Sequence, residues 1–251
     1  MSAAVSHPFV MLLCRPAENI ITSELTTIAR LGGLELGRDL IPVRMLRASD
    51  EEIAALDLSQ YSGVFISGSE YGFGDAAEQR TDAQNAMEAR TVAVSQRIID
   101  ADIPAFGMCY GMHALAVAGG GTITHEYAED IDAPQISVTN AGRQDAITAA
   151  TPSPFQAFVG HHDAVGVMPD NSVVLASSDA CPVQMFRIKN NIYGTQFHPE
   201  IDNEAMKIRT AYYSGAYFDP STAQAIEDMR QSADVKGANE LIASFVQRYA
   251  R

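Results

Sequence analysis

Basic side chains are scarce. In 251 residues, 17 Lys and Arg stand against 31 Asp and Glu, a formal net charge of −14. Binding a phosphate backbone needs clustered Lys and Arg, so the balance argues against nucleic-acid partners. Cysteine is scarce too: Cys14, Cys109 and Cys181 form an odd set without metal-ligand spacing. That excludes a disulfide scaffold and makes a reducing cytoplasm the expected compartment. No apolar run approaches the roughly 20 residues of a membrane span. The stretch from Met1 to Pro8 is too short and polar for a signal peptide. Internal repeats, low-complexity tracts and linkers are also lacking. What is present is 47% hydrophobic and 19% charged residues, enough apolar material to bury a core in one large or two smaller domains.

The first half alternates short apolar runs with helical periodicity. Residues 9–14 form a continuous apolar run, as a strand buried on both faces should. Ile21, Leu25 and Ile28 then recur at helical spacing until Gly32-Gly33 stops the pattern. Ile41 to Leu46 reads as a second strand, and Asp50 starts a short acidic helix with Ile53 and Leu56 inward. A third strand, Gly63 to Ser67, ends in the turn Gly68-Ser69-Glu70-Tyr71-Gly72. Ala83, Met87, Val94 and Ile98 mark the face of a long helix leading to a fourth apolar run, Ile103 to Met108. This order predicts a mostly parallel sheet with helices on both faces.

The second half reads as short strands at 134–139, 156–160, 172–177, 183–188 and 191–197, with a hairpin turn at Lys189-Asn190-Asn191. Helix returns over the last 50 residues, one segment opening at Asp219-Pro220 and another carrying the stripe Leu241, Ile242, Phe245, Val246 and Tyr249. Residues 1–202 are expected to form one α/β domain and 203–251 a helical extension packed on it; a dimer contact or an acceptor site are the alternatives for that extension.

The sharpest local feature is Gly107-Met108-Cys109-Tyr110-Gly111, between the apolar strand 103–108 and the apolar helix 110–118. A nucleophile on a tight strand-to-helix turn needs small residues two before and two after it, because strand and helix approach closely there. Such a side chain projects above the carboxyl end of the sheet, at a helix N-terminus that favours a thiolate and can hold an oxyanion. Taken alone, the pattern also suits a packed cysteine. Cys14 and Cys181 have no elbow around them and read as filler.

A thiol needs a base. His198 in Gln196-Phe197-His198-Pro199-Glu200 ends the last predicted strand, and Glu200 could hold its ring across the proline; a surface turn is the other reading. Gly160-His161-His162-Asp163 could join His198 and Glu200 around a metal, but adjacent histidines on a regular strand face opposite ways, so no metal is expected there. His113, one helical turn after Cys109, is a pocket residue or a second base. His7 and His125 carry no usable context.

Together these motifs resemble the class I (triad-type) glutamine amidotransferase family, most closely the glutaminase domain of GMP synthase and its stand-alone relatives. The resemblance spans roughly residues 9–200 and includes Gly119-Gly120-Gly121, Glu126-Tyr127 and Gly160 to Val165. It implies a flavodoxin-like three-layer fold with Cys109 as nucleophile, His198 as proton shuttle and Glu200 as the group that orients it. It also implies an oxyanion hole from the backbone of Tyr110 and of Gly68-Ser69, a glutamine pocket lined by Gly160, His161, His162, Asp163 and His113, and no cofactor. The chain departs from the family with Ser69 where a glycine is usual, with His113 where glutamine is common, and in the segment 160–163. Glutamine or another γ-glutamyl amide is therefore the expected substrate.

No Gly-x-x-x-x-Gly-Lys phosphate loop or Ser-Gly-Gly-x-Asp-Ser loop is present. Either a separate synthetase chain takes the ammonia, or the protein is a free-standing γ-glutamyl hydrolase. A third, non-catalytic reading is a binding or regulatory protein that retains the fold. With so few cations, activation of the thiol is expected locally, from the helix N-terminus and His198.

Overall fold

A computed structural model describes residues 6–213 and 220–251. The first half forms β1 (Phe9–Leu13), α1 (Glu18–Gly32), β2 (Leu40–Arg44), α2 (Asp50–Ala55), β3 (Gly63–Ile66), α3 (Asp82–Ala101), β4 (Ala105–Met108) and α4 (Tyr110–Ala118). Short strands follow: β5 (Thr122–Thr124), β6 (Glu129–Asp132), β7 (Gln135–Val138), β8 (Phe155–Gln156), β9 (Val159–His161), β10 (Ala164–Val167), β11 (Ser172–Ser177), β12 (Met185–Ile188) and β13 (Ile192–Thr195). Three helices close the chain: α5 (Asn203–Tyr213), α6 (Ala223–Ser232) and α7 (Lys236–Tyr249).

The central sheet runs β2-β1-β3-β4-β13-β12-β11-β7-β8. Its first five strands are parallel, and β12, β11, β7 and β8 continue it antiparallel. The pleat sorts β1 onto two faces. Phe9, Met11 and Leu13 pack with α1 and α7, while Val10 and Leu12 pack with α2, α3 and α4. Three layers follow from that alternation, with a mostly parallel sheet between helices as the sequence predicts. The ring of Phe245 on α7 lies 5.2–6.3 Å from those of Phe65, Phe106, Phe9 and Tyr193. The last helix thus fills one face of the sheet instead of lying outside it. No helix among the described residues is long and apolar enough to cross a membrane.

Several expectations need correction. Met87, Val94 and Ile98 are buried on α3 as expected, but Ala83 is exposed and the buried position in the first turn is Gln84, whose Nε2 donates to Asp75 at 2.8 Å. The single strand expected at 156–160 divides into β8 and β9, which pair with different partners. β5, β6 and β10 escape the pattern altogether, since three or four residues hold too few periods to read. β13 stops at Thr195, so Gln196 to His198 leave the sheet. Pro220 opens a 3-10 turn and helix begins only at Ala223. Asp219 lies outside the described residues. Lys189 takes φ 49° in the three-residue turn joining β12 and β13, as the hairpin reading requires.

Candidate active site

Cys109 sits between β4 and α4 with φ 50° and ψ −104°, a conformation that disfavours any side chain and is sustained only where surrounding structure enforces it. Its N–H donates to Thr195 O at 2.7 Å, tying the elbow to the end of β13, and its carbonyl accepts the His113 N–H at 3.1 Å. Both flanking glycines are forced by space. A Cβ on Gly107 would lie 2.6 Å from the Gly111 backbone, and one on Gly111 would strike the Ile66 carbonyl oxygen. Crowding here leaves the thiol at the C-terminal edge of the parallel strands, where open α/β sheets place their ligands.

The turn after β13 carries His198, whose Nδ1 lies 2.8 Å from Glu200 Oε1. The carboxylate accepts from Nδ1–H, leaving Nε2 as the basic nitrogen. Cys109 and His198 line one cavity of about 160 Å³ with Ser69, Tyr110, His113 and the segment 160–163. No hydrogen bond joins thiol and imidazole among the described residues. The sulfur instead accepts from Gln196 Nε2 at 3.9 Å, and Gln196 Oε1 accepts from His113 Nε2–H at 2.9 Å. His113 therefore reaches the thiol only through Gln196. Burial holds its pKa at about 4, so the ring is neutral near pH 7.

Ser69 lies on the turn after β3. Its hydroxyl donates to Cys14 O at 2.8 Å and accepts the Tyr71 N–H at 3.2 Å, which fixes the turn. Gly68 has Arg15 and His198 against it: a Cβ there would meet the Arg15 guanidinium and come within 3.1 Å of His198 Cε1. The Tyr110 N–H, at the start of α4, faces the Cys109 sulfur. Also in the lining, Asp163 accepts from Gly74 N–H at 2.9 Å and from His125 Nε2 at 3.0 Å, giving His125 a context the sequence lacked. His162 is exposed, whereas His161 is buried, with Nδ1 2.9 Å from Asp163 O and Nε2 2.9 Å from Glu129 Oε2. The adjacent histidines thus face opposite ways, and neither bonds to His198 or Glu200.

Sequence reasoning missed a buried ionic layer beneath the site. Arg15, just past β1, places Nε 3.2 Å from Glu24 Oε2, and Arg209 of α5 places Nη2 3.2 Å from Glu200 Oε1 and 3.8 Å from Glu24 Oε1. Glu70 and Tyr213 continue the layer toward the cavity: Arg15 Nη1 lies 3.8 Å from Glu70 Oε2 and donates to Tyr213 OH at 3.3 Å. Burial alone would raise the Glu200 carboxyl, but His198 with Arg209 and Arg15 holds it down at about 2. Burial pushes the Cys109 thiol up to about 12, and Arg15 is the strongest influence opposing it. A buried cation thus joins the helix N-terminus expected from the sequence among the groups that favour the thiolate form. One signal was available. Glu24 falls three residues after Ile21 and four before Ile28, on the inward face of α1, where an unpaired charge would be costly.

A parallel α/β sheet that holds a strained cysteine on its elbow, opposite a histidine–carboxylate pair, defines the class of cysteine-dependent amide hydrolases. Within it the chain belongs to the glutamine amidotransferase class-I family, whose model matches residues 28–211. Among curated relatives, the GMP synthase [glutamine-hydrolyzing] of Escherichia coli O1:K1 is 30% identical over 132 residues, 50% of this chain and 25% of the relative. The chain thus spans about a quarter of the length of those relatives. A glutamine amidotransferase from Thermotoga maritima shares the fold with a TM-score of 0.78 at 17% identity, over 98% of this chain and 99% of that one. One from Methylobacillus flagellatus gives a TM-score of 0.70 at 16% identity, over 97% and 96%.

Proposed function

We propose that the chain hydrolyses the side-chain amide of glutamine, or of a closely related γ-glutamyl amide, and releases ammonia to a separate synthetase subunit. The observation that carries this reading is the strained Cys109 elbow opening into the same cavity as a His198 ring held by Glu200. His198 Nε2 takes the thiol proton as the sulfur attacks the amide carbon. The resulting oxyanion is held by the Tyr110 N–H and by the backbone at Gly68-Ser69. His198 then gives the proton to the departing nitrogen, so ammonia leaves and a γ-glutamyl thioester stays on Cys109. Water, deprotonated by the same Nε2, attacks the thioester, and glutamate and thiol are restored. Glu200 keeps Nδ1–H in place throughout and stabilises the imidazolium. Asp163 and the segment 160–163 meet the amino-acid end of the substrate. Residues 203–251 belong with 1–202 in one working unit, since Arg209 supports Glu200 and α7 fills the core. A reducing cytoplasm suits the three free thiols.

The test is to incubate purified protein with glutamine and follow glutamate and ammonia, with Cys109→Ala as control. Wild type should release both and the variant neither. Equal release from the two would overturn the mechanism. No release from glutamine, but release from a γ-glutamyl amine, would move the substrate to that amide and keep the mechanism.

A further inference from the structure

A second set of cysteine, histidine and glutamate adjoins the cavity, and none of its groups forms or breaks a bond in the hydrolysis described above. Glu129 on β6, His161 at the end of β9 and Cys181 in the turn between β11 and β12 bring a carboxylate oxygen, Nε2 and Sγ within 4.8 Å of one another. The side chains of His161 and Glu129 are 2% and 7% exposed, and Cys181 is fully buried.

Hydrogen bonding fixes how many protons the set holds. Asp163 O can only accept, so His161 Nδ1 carries a hydrogen. That leaves Nε2 2.9 Å from Glu129 Oε2, and two bare lone pairs do not meet at such a distance, so one further proton sits between them. The thiol of Cys181 holds another. A divalent ion that displaces both protons meets one thiolate, one carboxylate and one neutral imidazole. The buried set has no net charge before or after, which avoids the main cost of burying an ion. Around a tetrahedral zinc, donor atoms of these types stand about 3.3–3.7 Å apart, so the His161–Glu129 pair at 2.9 Å must open slightly while the thiol closes in from within 4.8 Å.

A second observation points the same way. Gln184 is fully buried, and its Nε2 donates to Glu129 Oε2 at 2.7 Å and to Ser178 Oγ at 3.1 Å. Its Oε1 has no partner. The orphaned oxygen belongs to the side chain whose amide nitrogen bonds Glu129, and turning that amide over presents it to the three converging donors as a fourth. We infer that Glu129, His161 and Cys181, completed by Gln184, form a buried site for a divalent transition metal of the zinc type. Soft sulfur, imidazole and one carboxylate favour zinc or cobalt over magnesium or calcium. Glu129 and His161 also line the cavity, which gives the ion a path of entry. They face each other in the β6–β9 pair, and Asp163 accepts from His161. A bound ion therefore fastens the strand pair that carries the segment 160–163, and sets one wall of the pocket.

The probe is Co²⁺ titrated into metal-stripped protein, read by absorption, followed by displacement with Zn²⁺. One Co²⁺ per chain is expected, with thiolate-to-cobalt charge-transfer absorption that Cys181→Ser abolishes. Glu129→Gln and Gln184→Leu should weaken binding by about tenfold or more. Zn²⁺ should raise the Tm of wild type and leave Cys181→Ser unmoved. No charge transfer in wild type overturns the site, as does charge transfer that survives Cys181→Ser. Cys109→Ala, which stops the proposed hydrolysis, should keep the full cobalt signal. Its loss there would assign the metal to the wrong thiol, so the two ideas fail separately.

Discussion

Two constellations of the same three residue types reach one cavity, the first through Cys109 and His198 and the second through Glu129 and His161, and we propose different work for them. Around Cys109 the backbone is strained, the sulfur stands at a helix start, and its histidine and glutamate come from a turn two residues apart. Around Cys181 there is no elbow, and its partners Glu129 and His161 come from two other strands with all three donor atoms converging. The first set has buried arginines beneath it; the second has an uncharged glutamine amide. Cysteine, histidine and glutamate therefore do not define a nucleophile by composition. On the proposed reading, strained backbone, a cation within reach and an available imidazole nitrogen mark the nucleophile, while convergence without a cation marks the ligand set.

The comparison can be broken most directly by exchanging losses. Cys109→Ala should lower glutaminase turnover by at least about 10⁴-fold, while Cys181→Ser should lower it by less than tenfold, in steady-state assays of both. Arg15→Met removes the cation that most opposes the effect of burial on the Cys109 thiol, so the thiol pKa rises further above its value of about 12. Alkylation of Cys109 at fixed pH should slow severalfold, and its pH profile should move to the alkaline side. Gly111→Ala drives a methyl into the Ile66 carbonyl and should cost about 3 kcal/mol, read as a lower Tm. His113→Gln should have the smallest effect. The ring is neutral above pH 4, so the kcat/KM profile between pH 5 and 9 should keep its shape, with a rate within about threefold.

Legibility in the sequence followed local density of signal. The elbow at Gly107 to Gly111 and the His198–Glu200 turn each fit within five residues, and each could be read without knowing the fold. Arg15 and Arg209 are 194 positions apart and come together only in the fold, where both reach Glu24 of α1. An isolated arginine usually marks solvent, so only the misplaced Glu24 hinted at partners. The stripe on α7 announced a packed helix, yet Phe245 could not reveal that four rings from four different strands would surround it. Cys181 read as filler because Glu129 and His161 are 52 and 20 residues away, outside any metal spacing.

The claim on which everything else depends is that one thiol of the three is a tuned nucleophile. Treating the protein with a glutamine-analogue electrophile and mapping the adduct by peptide mass spectrometry tests it most directly. The account expects one label per chain, on Cys109, blocked by excess glutamine and leaving Cys14 and Cys181 unmodified. A label shared among the three cysteines, or one on Cys109 that glutamine does not block, would contradict it.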